Sequence, residues 1–392
     1  MESLPRQSPQ KQSKKNKITM SAEGIKDWII LNMIPGVGSS TFRRLIKFFG
    51  SPSLVLSASL KELAMVRGVT PALCQSIVDN RDNIKIDEEL RLIEKYGCKI
   101  ITIEDQAYPQ NLKAIYDPPP LLYVKGELTN SDSNSIAIVG TRNATTYGKT
   151  VAENFSSQLA SRGITIVSGL AHGVDTYAHK GALSVGGRTI AVVGNGLDIV
   201  YPAENAKLFD EIANSGAVIS ELPMGTKPIK TMFPQRNRLI SGISLGTIVI
   251  EAPRKSGALI TADLALDQGR DVFAIPGQIF SEKSKGTNWL IKQGAKLVDS
   301  VDDILEELPS SSFQQPVEDN IKTEDMMIEY QLSQDENAVW NVIGSSPIHI
   351  DDISKRSNLP VFKVCSVLVM LELKGLVQQL SGKMFIRKTA SL

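Results

Sequence analysis

Basic and aromatic residues crowd one short stretch of the chain, residues 232–242, which reads MFPQRNRLISG. Together with a lysine just upstream, its candidate functional residues are Lys230, Phe233, Arg236, Asn237 and Arg238. An aromatic ring can stack on a nucleic-acid base, and guanidinium groups pair well with phosphates. Because basic side chains at a helix start oppose the helix macrodipole, two arginines there require a compensating anion. The stretch therefore predicts one wall of a groove for a phosphate backbone.

Glycine, serine and charged residues follow several of the predicted strands. The segments are GTR (140–142), SGLAHGVD (168–175), GNGLDIVYP (194–202) and EAPRKSGALITA (251–262). In an open parallel sheet, ligands bind at the carboxyl ends of the strands, where backbone N–H groups and helix N-termini can hold phosphates. We therefore expect further contacts at the same edge as the basic stretch, from Gly140, Arg142, Ser168, Gly169 and Lys255.

Three enzymatic patterns fit the chain less well. Gly148-Lys149-Thr150 has the ending of a P-loop, but Asn143 stands where its first glycine should be. No dinucleotide fingerprint is present, since GNG (194–196) is followed by LDI. The third pattern joins residue types that do nucleophilic chemistry elsewhere, namely Ser168, His172, Asp175 and His179. All four crowd one loop and helix without a nucleophile elbow, so we expect a polar turn there, and no catalytic residue, metal or cofactor.

Composition sets broad limits on the class of protein. The chain has 392 residues, and 43 basic against 42 acidic side chains leave a net charge of +1, which says nothing about an acidic partner. Three scattered cysteines argue for a reducing compartment and against a disulfide framework. No apolar run approaches the roughly 18 residues that cross a bilayer. We therefore expect a cytoplasmic protein without membrane contact.

Changes of pattern divide the chain into five segments. They are a disordered basic tail (1–21), a helical domain (22–100), a Rossmann-like domain with a leading connector (101–307), a linker (308–336) and a winged helix (337–392). In the Rossmann-like segment, short β-branched runs alternate with amphipathic helices, which predicts a doubly wound parallel sheet covered on both faces. The connector contains three consecutive prolines, 118–120, which forbid a helix at that point.

The sequence allows more than one role for each of the two flanking domains. In the helical domain, PGVG at 35–38 is echoed by RGVT at 67–70, a doubled turn that resembles the helix-hairpin-helix module. Such turns aim N–H groups at a DNA phosphate, and the equal alternative is a structural bundle that has lost this contact.

The expected recognition helix of the winged helix, VFKVCSVLVMLELKG, is almost wholly apolar. We expect a packing or protein-binding face there, with Lys355 and Arg356 as the only hint of DNA contact.

From about residue 108 to residue 305, the chain resembles the DNA-processing protein A family, also called DprA or Smf. The motifs that carry the resemblance are GTR (140–142), SGLAHGVD (168–175), GLDIVYP (196–202), SE (220–221), FPQRNRLISG (233–242), VIEA (249–252), SGALITA (256–262) and FAIPG (273–277). Their order and spacing are far more specific than a lone glycine pattern. A helical domain before them and a winged helix after them also match the longer members.

The resemblance implies a Rossmann-like domain that binds single-stranded DNA and forms a homodimer. It implies that the protein protects incoming DNA during natural transformation and loads a RecA-type recombinase onto it. The groove residues carried over by motif are Arg142 for a phosphate, Lys230 and Phe233 for the lysine and stacking ring, and Arg236, Asn237 and Arg238 for the wall. The family has no accepted catalytic step. The alternatives are a nucleotide-processing enzyme on the same fold, and an adaptor that acts through its winged helix without binding DNA.

Overall fold

The computed structural model describes residues 22–308, 332–344, 348–374, 376–380 and 382–387. They belong to two compact units, one within residues 1–317 and the other within residues 318–392. The expected disordered tail (1–21) lies outside the described residues, and so does most of the expected linker (308–336). The boundaries of the five segments stay predictions.

In the described part of the first unit, six helices precede the sheet. They are α1 (Ala22–Met33), α2 (Ser39–Phe49), α3 (Pro52–Ser57), α4 (Leu60–Ala64), α5 (Pro71–Asn80) and α6 (Ile86–Lys95). Gly36 and Gly68 have φ of 89° and 83°, a conformation that costs little only for glycine, and they form the two expected turns. Trp28 stacks on Phe42 with 5.0 Å between the ring centroids, in an apolar core that continues onto one edge of the sheet.

A nine-stranded sheet forms the body of the described first unit. Its strands are β1 (Cys98–Thr102), β2 (Leu121–Gly126), β3 (Ser135–Val139), β4 (Thr165–Ser168), β5 (Thr189–Val192), β6 (Ala217–Ser220), β7 (Gly246–Val249), β8 (Asp271–Ala274) and β9 (Lys296–Leu297). Their order is β1-β2-β6-β5-β4-β3-β7-β8-β9. Neighbouring strands are parallel from β6 to β9, whereas β2 is antiparallel to both β1 and β6. The predicted doubly wound sheet is confirmed. The expected connector also contains β2, which is buried between β1 and β6. The neighbouring prolines concealed this strand in the sequence.

Helices cover both faces of this sheet. They are α7 (Gln110–Lys113), α8 (Thr146–Ser161), α9 (Val174–Ser184), α10 (Ala206–Ser215), α11 (Met232–Ile243), α12 (Gly257–Asp267), α13 (Lys285–Lys292) and α14 (Asp302–Leu305). Alternate residues of a strand point to opposite faces. Accordingly, Ala137 and Val139 of β3 pack with α11 and α12, whereas Ile136 and Ile138 pack with α8 and α9. This double cover explains why β3 is buried along its whole length.

The winding of the sheet reverses between β3 and β7. From β3 the chain proceeds through β4, β5 and β6 on one side, and it then returns to β7, β8 and β9 on the other side. The loops that leave the carboxyl ends of β3 and β7 therefore diverge and leave a crevice between them, the usual ligand position in such sheets. The fold alone thus identifies one place to look for a site.

The second unit is built from three described helices and a small sheet. Its elements are β10 (Ile348–His349), β11 (Val377–Leu380), β12 (Met384–Arg387), α15 (Gln334–Trp340), α16 (Ile350–Ser357) and α17 (Val361–Leu373), and the strand order is β10-β12-β11. The predicted winged-helix outline is confirmed. In α17, Val364 and Leu368 pack into the core, whereas Phe362 is 71% exposed. A protein-binding role for that apolar exposed face stays a prediction.

Candidate nucleic-acid interface

A cavity of about 470 Å³ lies at the switch point between β3 and β7. The carboxyl ends of these strands and the first turns of α11 and α12 surround it. Seven of the ten residues expected to contact nucleic acid line the cavity: Gly140, Arg142, Lys230, Phe233, Arg236, Asn237 and Lys255. The tertiary structure therefore brings together residues that stand more than 100 positions apart in the chain.

The geometry of α11 explains which residues of the basic stretch 232–242 reach the cavity. Side chains three or four positions apart share one face of a helix. Phe233, Asn237 and Ile240 accordingly line the cavity. Leu239, on the neighbouring side, is buried in the apolar core against the sheet and anchors the helix.

Three exposed cations reach the cavity from three different loops. Arg142 follows β3, Lys230 precedes α11, and Lys255 precedes α12. Among the described residues, none of the three forms an ion pair with a carboxylate. The guanidinium carbon of Arg142 lies 5.3 Å from the centroid of the Phe233 ring, within cation–π range. These exposed positive charges make the cavity a place for an anion.

Arg236 is the buried cation beneath the cavity, with 5% of its surface exposed. Its Nη1 donates to the carbonyl of Gly169 at 2.7 Å and also to the carbonyl of Val192. Asp175 is the carboxylate that interacts with it: burial raises the pKa of Asp175 to about 6, while the charge of Arg236 opposes that rise. Burial also lowers the pKa of Arg236 to about 10. Asp175 therefore already supplies a negative charge beside Arg236, and contact of this arginine with a phosphate stays a prediction.

Arg238 points away from the cavity. Side chains two residues apart on an α-helix differ by about 200° around its axis, so Arg236 and Arg238 leave α11 on different sides. Arg238 pairs through Nη2 with Glu221, and its Nη1 donates to the carbonyl of Asp117 at 2.7 Å. Burial raises the pKa of Glu221, and the charge of Arg238 opposes that rise. Arg238 therefore does not line the cavity, and its contact with nucleic acid stays a prediction.

The polar residues around β4 and α9 each have a structural partner. Ser168 is fully buried, and its hydroxyl donates to a backbone carbonyl of β3 at 2.7 Å, so it does not reach the cavity. His179 is fully buried at 2.7 Å from the hydroxyl of Thr189, and burial lowers the pKa of His179 to about 3. His172 lies 3.7 Å from Glu204 on the surface. These separate partnerships agree with a polar turn rather than a hydrolytic constellation.

Glu251, which follows β7, positions the loop that carries Arg142, and the sequence reasoning missed it. It is 3% exposed, and its carboxylate accepts the N–H of Thr145 at 2.9 Å and the hydroxyl of Thr145 at 2.6 Å. Gly148 makes room for it, because a Cβ there would lie 2.3 Å from a carboxylate oxygen of Glu251. The available signal was a lone acid at the end of a buried strand, directly before a basic loop.

Known protein families match this architecture. The family model "DNA recombination-mediator protein A" matches residues 99–309, more than half of the 392-residue chain. The chain belongs to the DNA recombination-mediator protein A family. A second model, the DprA winged helix domain, matches residues 326–383. The resemblance seen in the motifs is thereby confirmed, and the family is one of DNA-processing recombination mediators.

Individual members of the DNA recombination-mediator protein A family are similar over most of their length. The DNA processing protein DprA of Bacillus subtilis is 46% identical over 231 residues, which cover 59% of this chain and 78% of that protein. Protein Smf of Escherichia coli is 39% identical over 308 residues, 76% of this chain and 79% of that protein. The X-ray structure of DprA from Streptococcus pneumoniae superposes with a TM-score of 0.65 at 37% identity, covering 72% and 98% of the two chains.

Neither a membrane span nor a metal centre accompanies the cavity in the described part of the chain. Over those ranges, no helix has the length and apolar character needed to cross a bilayer. Within the same ranges, no three His, Cys, Asp or Glu residues come together in a way that could hold a metal ion.

Proposed function

We propose that this protein binds single-stranded DNA in the cavity between β3 and β7 and catalyses no reaction there. On this proposal it protects incoming DNA during natural transformation and loads a RecA-type recombinase onto it, as a cytoplasmic homodimer. One observation carries the proposal: Arg142, Lys230 and Lys255, all exposed and unpaired with described carboxylates, meet beside Phe233 in one cavity. Phosphates neutralise such cations, and a base stacks on such a ring.

A single strand suits this cavity better than a duplex. In a duplex the faces of the bases are covered by their stacked neighbours, whereas an unpaired base offers a face to an aromatic side chain. Phe233 lines a cavity of about 470 Å³ together with Arg142, Lys230 and Lys255. The recombinase role is supported by the description of the matched family as a recombination mediator.

The proposed contacts divide by chemistry. Arg142, Lys230 and Lys255 bind phosphates, and Phe233 stacks on a base, with Asn237 beside it. Gly140 lets the end of β3 pack against the start of α9, because a Cβ there would lie 2.5 Å from the side chain of Val174. Ser168, Gly169 and Arg236 support these contacts indirectly, through the hydrogen bonds described above. We also propose the five segments, from the tail at 1–21 to the winged helix at 337–392, as the domain organisation.

The test is equilibrium binding of the purified full-length chain to a fluorescent oligothymidylate and to a duplex of the same length. We expect tight binding of the single strand, weaker binding of the duplex, and loss of single-strand binding in the double variant Arg142→Ala/Lys230→Ala. Equal binding by wild type and double variant would refute the proposal. Release of a product from DNA or nucleotides would instead support the enzyme, and binding to protein without DNA would support the winged-helix adaptor.

A further inference from the structure

The ring of Phe233 is already in contact on several sides. The guanidinium of Arg142 lies over it at 5.3 Å from the ring centroid. The backbone of Gly194 lies close enough that a Cβ there would be 3.2 Å from the ring. The Tyr201 ring lies beside it, with 5.7 Å between the centroids and 30° between the planes. Phe233 thus contacts a guanidinium group and a second aromatic ring, and it also lines the large cavity.

Tyr201 is the more exposed of the two rings. It is 44% exposed, whereas Phe233 is partly buried. Tyr201 stands in the loop that follows β5, at the same edge of the sheet as the loops after β3 and β7. Both rings line a small cavity of about 30 Å³, and Arg142 and Arg236 line both it and the large cavity. The two cavities therefore form one continuous surface that passes from the three cations to Tyr201.

The chemistry of the surface changes along this path. Next to Tyr201, His172 lies 3.7 Å from Glu204, and both side chains are exposed. The carboxylate of Glu204 at this end repels a phosphate and weakens the attraction that Arg142 and Arg236 exert there. What the Tyr201 end offers to a nucleic acid is an aromatic face, which attracts any base without regard to sequence.

We propose that Tyr201 is a second base-stacking subsite, which holds the base of the nucleotide next to the one at Phe233. This inference rests on the proposed function and extends it. Rings 5.7 Å apart lie within one step of an unstacked strand, whose phosphates are about 3.4 Å apart along the axis even in a stacked duplex. The strand then runs from the α12 end of the cavity, across Arg142 and Phe233, onto Tyr201.

The decisive measurement compares two oligomers of equal length, an oligothymidylate and an abasic oligomer that keeps the phosphates without bases. Base–aromatic stacking predicts that Tyr201→Ala weakens oligothymidylate binding by about 5- to 150-fold and leaves abasic binding unchanged. Tyr201→Phe should bind both oligomers like wild type, because the ring remains. Lys230→Ala should weaken binding of both oligomers, because it removes a phosphate contact.

Controls separate stacking from a general defect. Tyr116→Ala removes a tyrosine that is 89% exposed and does not line the cavity, so it should bind like wild type. If Tyr201→Ala proved unstable by thermal unfolding, Tyr201→Leu would keep the apolar bulk without an aromatic face and should show the same selective loss. Equal losses for both oligomers, or no loss for either, would overturn the inference. Failure of wild type to bind oligothymidylate would instead refute the proposed function itself.

Discussion

Replacing Arg142 by alanine removes one of three exposed cations in the cavity that form no ion pair with a described carboxylate. Each phosphate contact on a single strand contributes about −0.7 to the slope of log affinity against log salt concentration. With Arg142, Lys230 and Lys255 all engaged, the wild-type slope is then about −2.1, and it becomes about −1.4 when one contact is lost. The slope therefore reports how many cations contact the DNA backbone, independently of how tightly the strand binds.

These slopes translate into a plain experiment. Between 50 and 200 mM salt, wild-type affinity for oligothymidylate should fall about 20-fold, and that of Arg142→Ala only about 7-fold. Fluorescence anisotropy at four or five salt concentrations gives both slopes. Arg142→Lys should keep the wild-type slope, because it keeps the charge, even though it loses the planar contact with Phe233.

Arg238, an arginine in the helix that borders the cavity, provides the matched control. It pairs with Glu221 outside the cavity, so Arg238→Ala should leave the slope unchanged, whatever it does to stability. A slope that Arg142→Ala does not change would refute the assignment of Arg142 to a phosphate. A slope that falls as much in Arg238→Ala as in Arg142→Ala would show that the strand follows a path outside the cavity.

Three further predictions concern the support of the site. Glu251→Ala should lower the free energy of unfolding by about 1–3 kcal/mol in urea titrations, because Thr145 loses its acceptor, while Glu251→Gln should largely restore it. Gly169→Ala should cost about 1–3 kcal/mol by the same measurement, because its Cβ would lie 2.4 Å from Arg236, whereas Gly344→Ala meets nothing within 4 Å and should not. Since the raised pKa of Asp175 is about 6, its carboxylate becomes neutral as the pH falls through that value; single-strand affinity should then rise between pH 7.5 and 5.5 in wild type and change less in Asp175→Asn.

Periodicity along the chain was sufficient to predict the fold class. The runs that became β3 to β8 were β-branched and bounded by glycine, and both signals are local, so they survive without knowledge of the partner strands. The strand β2 was missed because sequence reasoning detects only such local signals. Its sequence follows three prolines, and only its position between β1 and β6 explains why Leu121–Val124 are buried.

Helix geometry is enough to separate the two arginines of the basic stretch. Residues 233, 236 and 237 share a face, and residue 238 does not. What the sequence could not supply was the identity of the anions, because Asp175 and Glu221 stand far from Arg236 and Arg238 in the chain. Tyr201 was visible as an aromatic residue after a predicted strand, yet its contact with Phe233 depends on how two loops meet.

By itself, then, the sequence determined the alternation of strands and helices and the collection of glycine and basic residues at strand ends. Both follow from local preferences of the backbone and from the rule that parallel strands share a carboxyl edge. Only the tertiary structure decided which charges remain free for a ligand. Arg142, Lys230 and Lys255 are exposed and form no ion pair with a described carboxylate, while Arg236 interacts with the buried Asp175 and Arg238 pairs with Glu221. Charge compensation acts between neighbours in space, and those neighbours come from distant parts of the chain.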